Sequence, residues 1–150
     1  MKVLLVYDTV EGNTEKVAKS ITAALAPAEV KIVRPSEAGS PDFKSFDLVI
    51  VGSPTMGGRP SQPMQAFLAG IPADALKGID VAAFDTRLPA AWVKIFGFAA
   101  GKIANILKKR SGHLAAPPEG FFVLGSKGPL KEGELERAGA WIKGIQAGKK

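Results

Sequence analysis

Apolar residues in this chain come in short solid runs, and the stretches between them repeat apolar residues at helical spacing. Val3-Leu4-Leu5-Val6-Tyr7 is unbroken, the pattern of a strand buried on both faces of a parallel sheet. From Thr14 to Leu25 the pattern changes: Val17, Ala18, Ile21, Ala24 and Leu25 fall on one helical face until Pro27 stops the helix. Val30-Lys31-Ile32-Val33 predicts a second strand, near an edge because charge interrupts it. The span 35–45, rich in Pro, Ser, Gly and Asp, leaves room for a turn of helix at most. Leu48-Val49-Ile50-Val51 predicts a third strand, and a helix with Met64, Phe67 and Leu68 inward follows over Ser61–Leu68. Val81-Ala82-Ala83-Phe84 predicts a fourth strand. Ala91–Arg110 then reads as the longest helix, with Trp92, Ile95, Phe96, Ala99, Ile103, Ile106 and Leu107 inward and Gly112 as its stop. Phe121-Phe122-Val123-Leu124 predicts the fifth strand. A last helix, Gly133–Gln146, turns Leu135, Ala138, Trp141, Ile142 and Ile145 inward, and the tail 148–150 frays.

Five apolar strands alternating with helices predict an α/β fold, a doubly wound parallel sheet with helices on both faces. With 150 residues, no internal repeat and no linker, the chain reads as one domain spanning 1–150. The absence of cysteine excludes disulfides and thiolate chemistry and suits a reducing, cytoplasmic setting. A single histidine, His113, leaves little to hold a transition metal, and it is given no role. The opening apolar run is too short for a signal peptide, and no run approaches the ~20 residues of a membrane span. The net charge of +6 has one source. Residues 86–118 hold Arg87, Lys94, Lys102, Lys108, Lys109 and Arg110 with no acid, whereas the rest of the chain holds 14 basic and 14 acidic residues. That segment is either a solvated helix face or a docking surface for an acidic partner or anionic ligand.

Three turns, 8–14, 52–60 and 85–90, follow predicted strands at their carboxyl ends, and all are polar or glycine-rich. In open α/β sheets that edge, where strand order reverses, is where ligands bind. In the first turn Thr9 and Thr14 offer hydroxyls, Asn13 an amide, and Gly12 close backbone approach. The helix beginning there aims free N–H groups and the positive end of its dipole into the loop. Two readings stand side by side: a phosphate cradle, or a plain N-cap in which Thr or Asn satisfies the first helical turn. No GxGxxG follows the first strand. Gly97–Lys102 has the wrong spacing for a P-loop and sits inside a helical pattern. No Ser-His-Asp or paired-carboxylate arrangement marks a catalytic centre.

Taken together, the three turns resemble those of the flavodoxin family. Asp8-Thr9-Val10-Glu11-Gly12-Asn13-Thr14 is similar to the family's FMN phosphate loop, close to Thr/Ser-x-Thr-Gly-x-Thr, with Glu11 where a third hydroxyl often stands. Gly52-Ser53-Pro54-Thr55 with Gly57-Gly58 resembles the second flavin loop, and Phe84-Asp85-Thr86-Arg87 lies where the third begins. Flavodoxins are themselves a type example of the switch-point rule. The resemblance implies strand order 2-1-3-4-5 and one non-covalently bound FMN. Its phosphate would be held by Thr9, Val10, Glu11, Gly12, Asn13 and Thr14. Its ring would be flanked by Ser53, Pro54, Thr55, Met56, Gly57 and Gly58 on one side and by Asp85, Thr86, Arg87 and Leu88 on the other. Stacking would fall to Met56, Leu88 or Trp92, or be absent on one side. The turn at Gly57-Gly58 matches the peptide that the family uses to hydrogen-bond the reduced ring. Arg59 and Arg87 in the ring loops would raise the potential at which the flavin becomes fully reduced, relative to an acidic relative.

The implied function is electron transfer between redox partner proteins, whose acidic surfaces the basic segment would steer. Neither nucleic acid nor a membrane span is expected. The alternative on the same fold is an FMN-dependent reductase or oxidase of a quinone or haem precursor. The near-minimal length, without a long insertion, favours the carrier. A third reading takes the apolar and basic faces of Trp92–Arg110 as an interfacial helix.

Overall fold

Every strand pairing is parallel, as runs apolar on both faces require. The computed structural model of the protein describes residues 1–89 and 98–148. The strands are β1 (Lys2–Tyr7), β2 (Glu29–Val33), β3 (Leu48–Pro54), β4 (Asp80–Arg87), β5 (His113–Leu114) and β6 (Glu119–Phe122). The helices are α1 (Asn13–Leu25), α2 (Pro35–Ala38), α3 (Gln62–Ala69), α4 (Ala99–Lys109) and α5 (Glu134–Ala147), with a 3-10 turn at Phe43–Ser45. Strand order is β2-β1-β3-β4-β5, with β6 also on β4, so the order reverses between β1 and β3.

The period-two alternation of a strand sorts the core into two layers. Val3, Leu5 and Tyr7 face α1 and α5, where Val17, Ile21, Leu25, Ala138 and Ile142 are buried. Leu4 and Val6 face α3 and α4, where Met64, Leu68, Ile103 and Leu107 are buried. Trp141, Phe84 and Phe121 form a cluster of edge-to-face rings with centroids 6.1–6.3 Å apart. Leu135, predicted inward, is 38% exposed. It lies in the first turn of α5, where Ser20 Oγ of α1 donates to its carbonyl at 2.8 Å. Of the long helix predicted over 91–110, the stretch 91–97, including Trp92, Ile95 and Phe96, lies outside the described residues.

The predicted fifth strand is corrected. Rather than 121–124 it is two pieces, β5 pairing with Asp80 and Val81 and β6 with residues from Phe84 to Arg87. Between them lies Ala115-Ala116-Pro117-Pro118, and two consecutive prolines cannot donate to the ladder. Val123 has already turned away into an antiparallel bridge with Leu130.

β6 is pinned to α5 by a buried carboxylate. Glu134 accepts from the Phe122 N–H at 2.7 Å and from Arg137 Nε and Nη2 at 2.9 and 2.7 Å. Arg137 also donates to the Gly120 carbonyl and lies 4.6 Å over the Phe121 ring. The Arg137 hydrogen bonds, helped by the Phe122 N–H, hold the Glu134 carboxyl below the usual range. A carboxylate so depressed stabilises the fold above its unfolded pKa of about 4.3, and that contribution is lost as pH falls through the folded value. Glu134→Gln is expected to cost about 1 kcal/mol at neutral pH, an estimate that allows for the partial exposure of Arg137. The difference from the parent should shrink to nothing in the acid limb below about pH 4. Urea unfolding across pH measures it, and a pH-independent difference would contradict the assignment.

Candidate functional site

The helices that begin at the carboxyl edge of the sheet satisfy their first N–H groups in different ways. α3 has a side-chain cap: Ser61 Oγ accepts from the Met64 N–H at 3.4 Å. α4 has none on its own N-cap residue, Phe98, and is capped from the neighbouring loops instead. The Ala99 N–H reaches Thr55 Oγ1 at 3.1 Å and the Ala100 N–H reaches Asp85 Oδ2 at 2.9 Å. α1 is different. Its N-cap is Gly12, at φ 88°, and among the described residues no side chain caps the helix. Thr9 Oγ1 is taken by the Gly12 N–H at 2.9 Å, so it serves the loop rather than the first turn. The plain N-cap reading of this loop is therefore not what the structure has. The N–H groups of Asn13, Thr14 and Glu15 have no intrahelical acceptor and lie at the positive end of a 13-residue helix. α5 also starts without a side-chain cap, but Glu134 and Glu136 supply negative charge in its first turn.

In front of α1 is a cleft of about 430 Å³, within the usual range for small-ligand sites. It brings together Thr9, Val10, Glu11, Asn13 and Thr14 from the first loop, Pro54, Thr55, Met56 and Gly57 from the second, and Thr86, Arg87 and Leu88 from the third. Four predicted residues do not line it. Gly12 is half-buried, with nothing within 4 Å of where a Cβ would stand. Ser53 is fully buried, accepting from the Ser61 N–H at 2.9 Å. Gly58 is buried and its carbonyl accepts from Lys102 Nζ. Asp85 is fully buried behind the third loop.

Val123 and Ser126 line the cleft and belong to a fourth loop that sequence reasoning passed over. Its signal was available, since Gly125-Ser126-Lys127-Gly128-Pro129 is a polar, glycine-rich turn after the last strand, like the other three. This loop closes on the first. Gly128, at φ +95°, lies so near the buried Asn13 that an added Cβ would be 2.7 Å from Asn13 Nδ2.

The loops are braced against one another from behind. Thr14 and Thr86 share a hydroxyl–hydroxyl hydrogen bond of 2.8 Å, joining the first loop to the third. Asp8, 5% exposed, accepts from Arg34 Nη2 at 2.6 Å and from the Ser61 hydroxyl, joining the first loop to β2 and α3. The Asp8 hydrogen bond in turn holds the Arg34 guanidinium above its ordinary pKa. Arg87 forms a fork with Asp85, Nε to Oδ1 and Nη2 to Oδ2, both 2.7 Å. Its guanidinium stacks 3.6 Å over the Phe98 ring and covers Gly120, where an added Cβ would be 2.1 Å from Nε. Burial pushes the Asp85 carboxyl above the usual range, while Arg87, the Ala100 N–H and Thr55 oppose that push. Arg87 thus faces the cleft as half of an ion pair. Arg59, in the second loop, is exposed and makes no ion pair among the described residues.

The second loop turns tightly. Met56 and Arg59 exchange backbone hydrogen bonds at 2.7 and 3.1 Å around Gly57 (φ 58°) and Gly58 (φ 80°). Two successive positive φ values demand a type I′ turn, which glycine adopts at least cost. Met56 is left 49% exposed at the cleft mouth. Trp92, the remaining candidate to stack on a ring, lies outside the described residues.

Residues 4–91 match the family described as Flavodoxin domain. Over 82 residues the chain is 37% identical to a flavodoxin of Aquifex aeolicus (strain VF5), a match covering 53% of this chain and 44% of that protein. The chain thus spans less than half the length of that relative. In backbone it is similar to oxidised flavodoxin 1 of Bacillus cereus, with a TM-score of 0.80 at 15% identity over 98% of each chain. It is also similar to oxidised flavodoxin 2 of the same organism (TM-score 0.78, 23% identity, 99% of each chain). Two-electron reduced flavodoxin of Megasphaera elsdenii is similar as well (TM-score 0.71, 24% identity, 93% of this chain and 97% of that one).

Proposed function

Because the chain belongs to the flavodoxin family, we propose that it binds one FMN in the cleft between its loops and carries electrons between redox partner proteins. The observation that carries the reading is the start of α1, whose N–H groups no side chain caps and which opens on the cleft. A phosphate dianion there would accept from Asn13, Thr14 and Glu15 without lysine or metal, each charged hydrogen bond contributing about 1.5–3 kcal/mol. Bound FMN supplies the one- and two-electron chemistry. The protein's residues hold and shield it. Thr9, Val10, Glu11, Asn13 and Thr14 frame the phosphate end, and Gly12 keeps the loop close. Thr55, Met56 and Gly57 lie along one wall of the ring site, and Thr86, Arg87 and Leu88 along the other. Ser53, Gly58 and Asp85 act from behind these walls.

We take the chain to act as one domain organised on this sheet. No helix among the described residues is long and apolar enough to cross a membrane. We place the protein in the cytoplasm, whose reducing poise suits a chain without cysteine. Its partners are proteins rather than nucleic acid, and they present acidic surfaces to the basic segment.

Purified protein freed of ligand should take up one equivalent of FMN, quenching its fluorescence and giving a yellow protein. Protein that stays colourless with excess FMN would overturn the reading. Glu11→Thr should bind FMN at least as tightly as the parent. Glu11 is exposed, so removing its charge gains less than about 1 kcal/mol, or up to about fivefold in Kd. Weaker binding by Glu11→Thr would mean the carboxylate is not repelling the phosphate. Arg87→Ala should lower the potential of the second one-electron step by some tens of millivolts, on a scale of about 59 mV per tenfold, because it removes a cation and leaves Asp85 without its counter-ion. Redox titration reads it, and an unchanged or higher potential counts against the placement of Arg87 beside the ring.

A further inference from the structure

The chain keeps carboxylates out of two stretches that fold against each other. Residues 48–73 and 86–118 contain seven Lys and Arg residues and no Asp or Glu. In the structure α3 and α4, drawn from these stretches, pack together. Between them runs a groove of about 600 Å³ lined by Arg59, Lys102, Lys109 and Arg110 together with apolar groups such as Ile106. Two of these cations are held in place by backbone carbonyls: Lys102 donates to Gly58, and Arg110 Nε donates to Ile71 at 2.7 Å. Arg59 and Lys109 are exposed. Arg59 also closes the Met56–Arg59 turn, whose other end lines the cleft, so the groove adjoins the cleft mouth.

That mouth is apolar. Val10 is 60% exposed, Met56 49% and Leu124 61%, each on a different loop around the cleft. On the other flank the exposed charges are mixed, Lys127 and Lys131 standing with Glu132 and Glu136 around the start of α5. An apolar centre beside a groove whose charges are all positive is the anatomy of a protein contact. A solvated helix face would not gather exposed Val10, Met56 and Leu124 from three loops beside it.

We propose that the α3–α4 groove seats a carboxylate-rich segment of a protein partner, whose apolar centre meets Val10, Met56 and Leu124. The role of this contact in electron exchange rests on the FMN reading, whereas the binding itself does not. Nucleic acid would use the cations alone, and among the described residues no aromatic side chain lines the groove for bases to stack on.

The test titrates isotopically labelled protein, with and without added FMN, at low salt with a peptide of about ten glutamates. Amide shifts should concentrate at Arg59, Gln65, Ile106 and Lys109. Peptide affinity should fall about tenfold between about 20 and about 200 mM salt. Lys109→Glu should weaken it by about fivefold or more at low salt while leaving FMN affinity within about twofold. Arg59→Gln should weaken the peptide as well. Shifts scattered over the whole surface, or equal peptide binding by Lys109→Glu, would overturn the proposal. So would tighter binding of an oligothymidylate of similar charge, or of phosphatidylserine vesicles. Failure of FMN uptake with intact peptide binding would sink the redox role and leave the groove standing.

Discussion

A backbone N–H at a helix start must find an acceptor, and this protein treats its helices unequally in that respect. It spends Ser61 on α3, and Thr55 with Asp85 on α4, yet gives the first turn of α1 no side-chain cap among the described residues. Gly12 makes this possible. At φ 88° it is the residue that bends the chain into the helix, a left-handed conformation that glycine adopts at least cost. Thr9, which might have capped the helix, is turned back to hold the Gly12 N–H. The loop is therefore shaped without its own polar groups being consumed at the helix start.

Preorganisation of that cradle comes from behind it. Thr14 to Thr86, Asp8 to Arg34 and Ser61, and Asn13 under Gly128 fasten the first loop to the third, to β2 with α3, and to the fourth. Each of these contacts is buried or half-buried, where a polar group left unpaired is costly, so each resists local loosening. Asp85 plays the corresponding part for the third loop. Bound by Arg87 and the Ala100 N–H, it ties the third loop and a helix start to the end of β4. Arg87 is consequently not a free cation beside the site but one arm of a clamped pair. The electrostatic influence of the third loop on a bound ring is that of the pair.

Charge is uneven across the same edge. The carboxylate-free stretches meet as α3 and α4 on one flank, whereas lysines and glutamates are mixed around the start of α5 on the other. Such a distribution does nothing for folding, since exposed charges contribute little to stability. Its physical consequence is orientation of whatever approaches the cleft.

The sequence by itself determined the layered fold and the edge at which chemistry would sit. Strands apolar on both faces must be parallel and covered on both sides, and glycine-rich polar turns after them mark one end of the sheet. It also determined α1, α3 and α5 to within a residue or two, because their inward stripes are strongly periodic. What it could not settle depended on contacts between distant residues. The fifth strand splits because Pro117-Pro118 cannot join the ladder, and its true partner register is visible only beside β4. Asp85 and Arg87 both read as ring-facing loop residues. Only the packing of Phe98, Gly120 and the start of α4 shows the carboxylate turned inward and the guanidinium held by it. Asp8–Thr14 was equally legible as a plain cap or an anion cradle. The structure shows the cap side of that choice: the N-cap position is glycine, and Thr9 Oγ1 accepts from the Gly12 N–H rather than from the first turn of the helix.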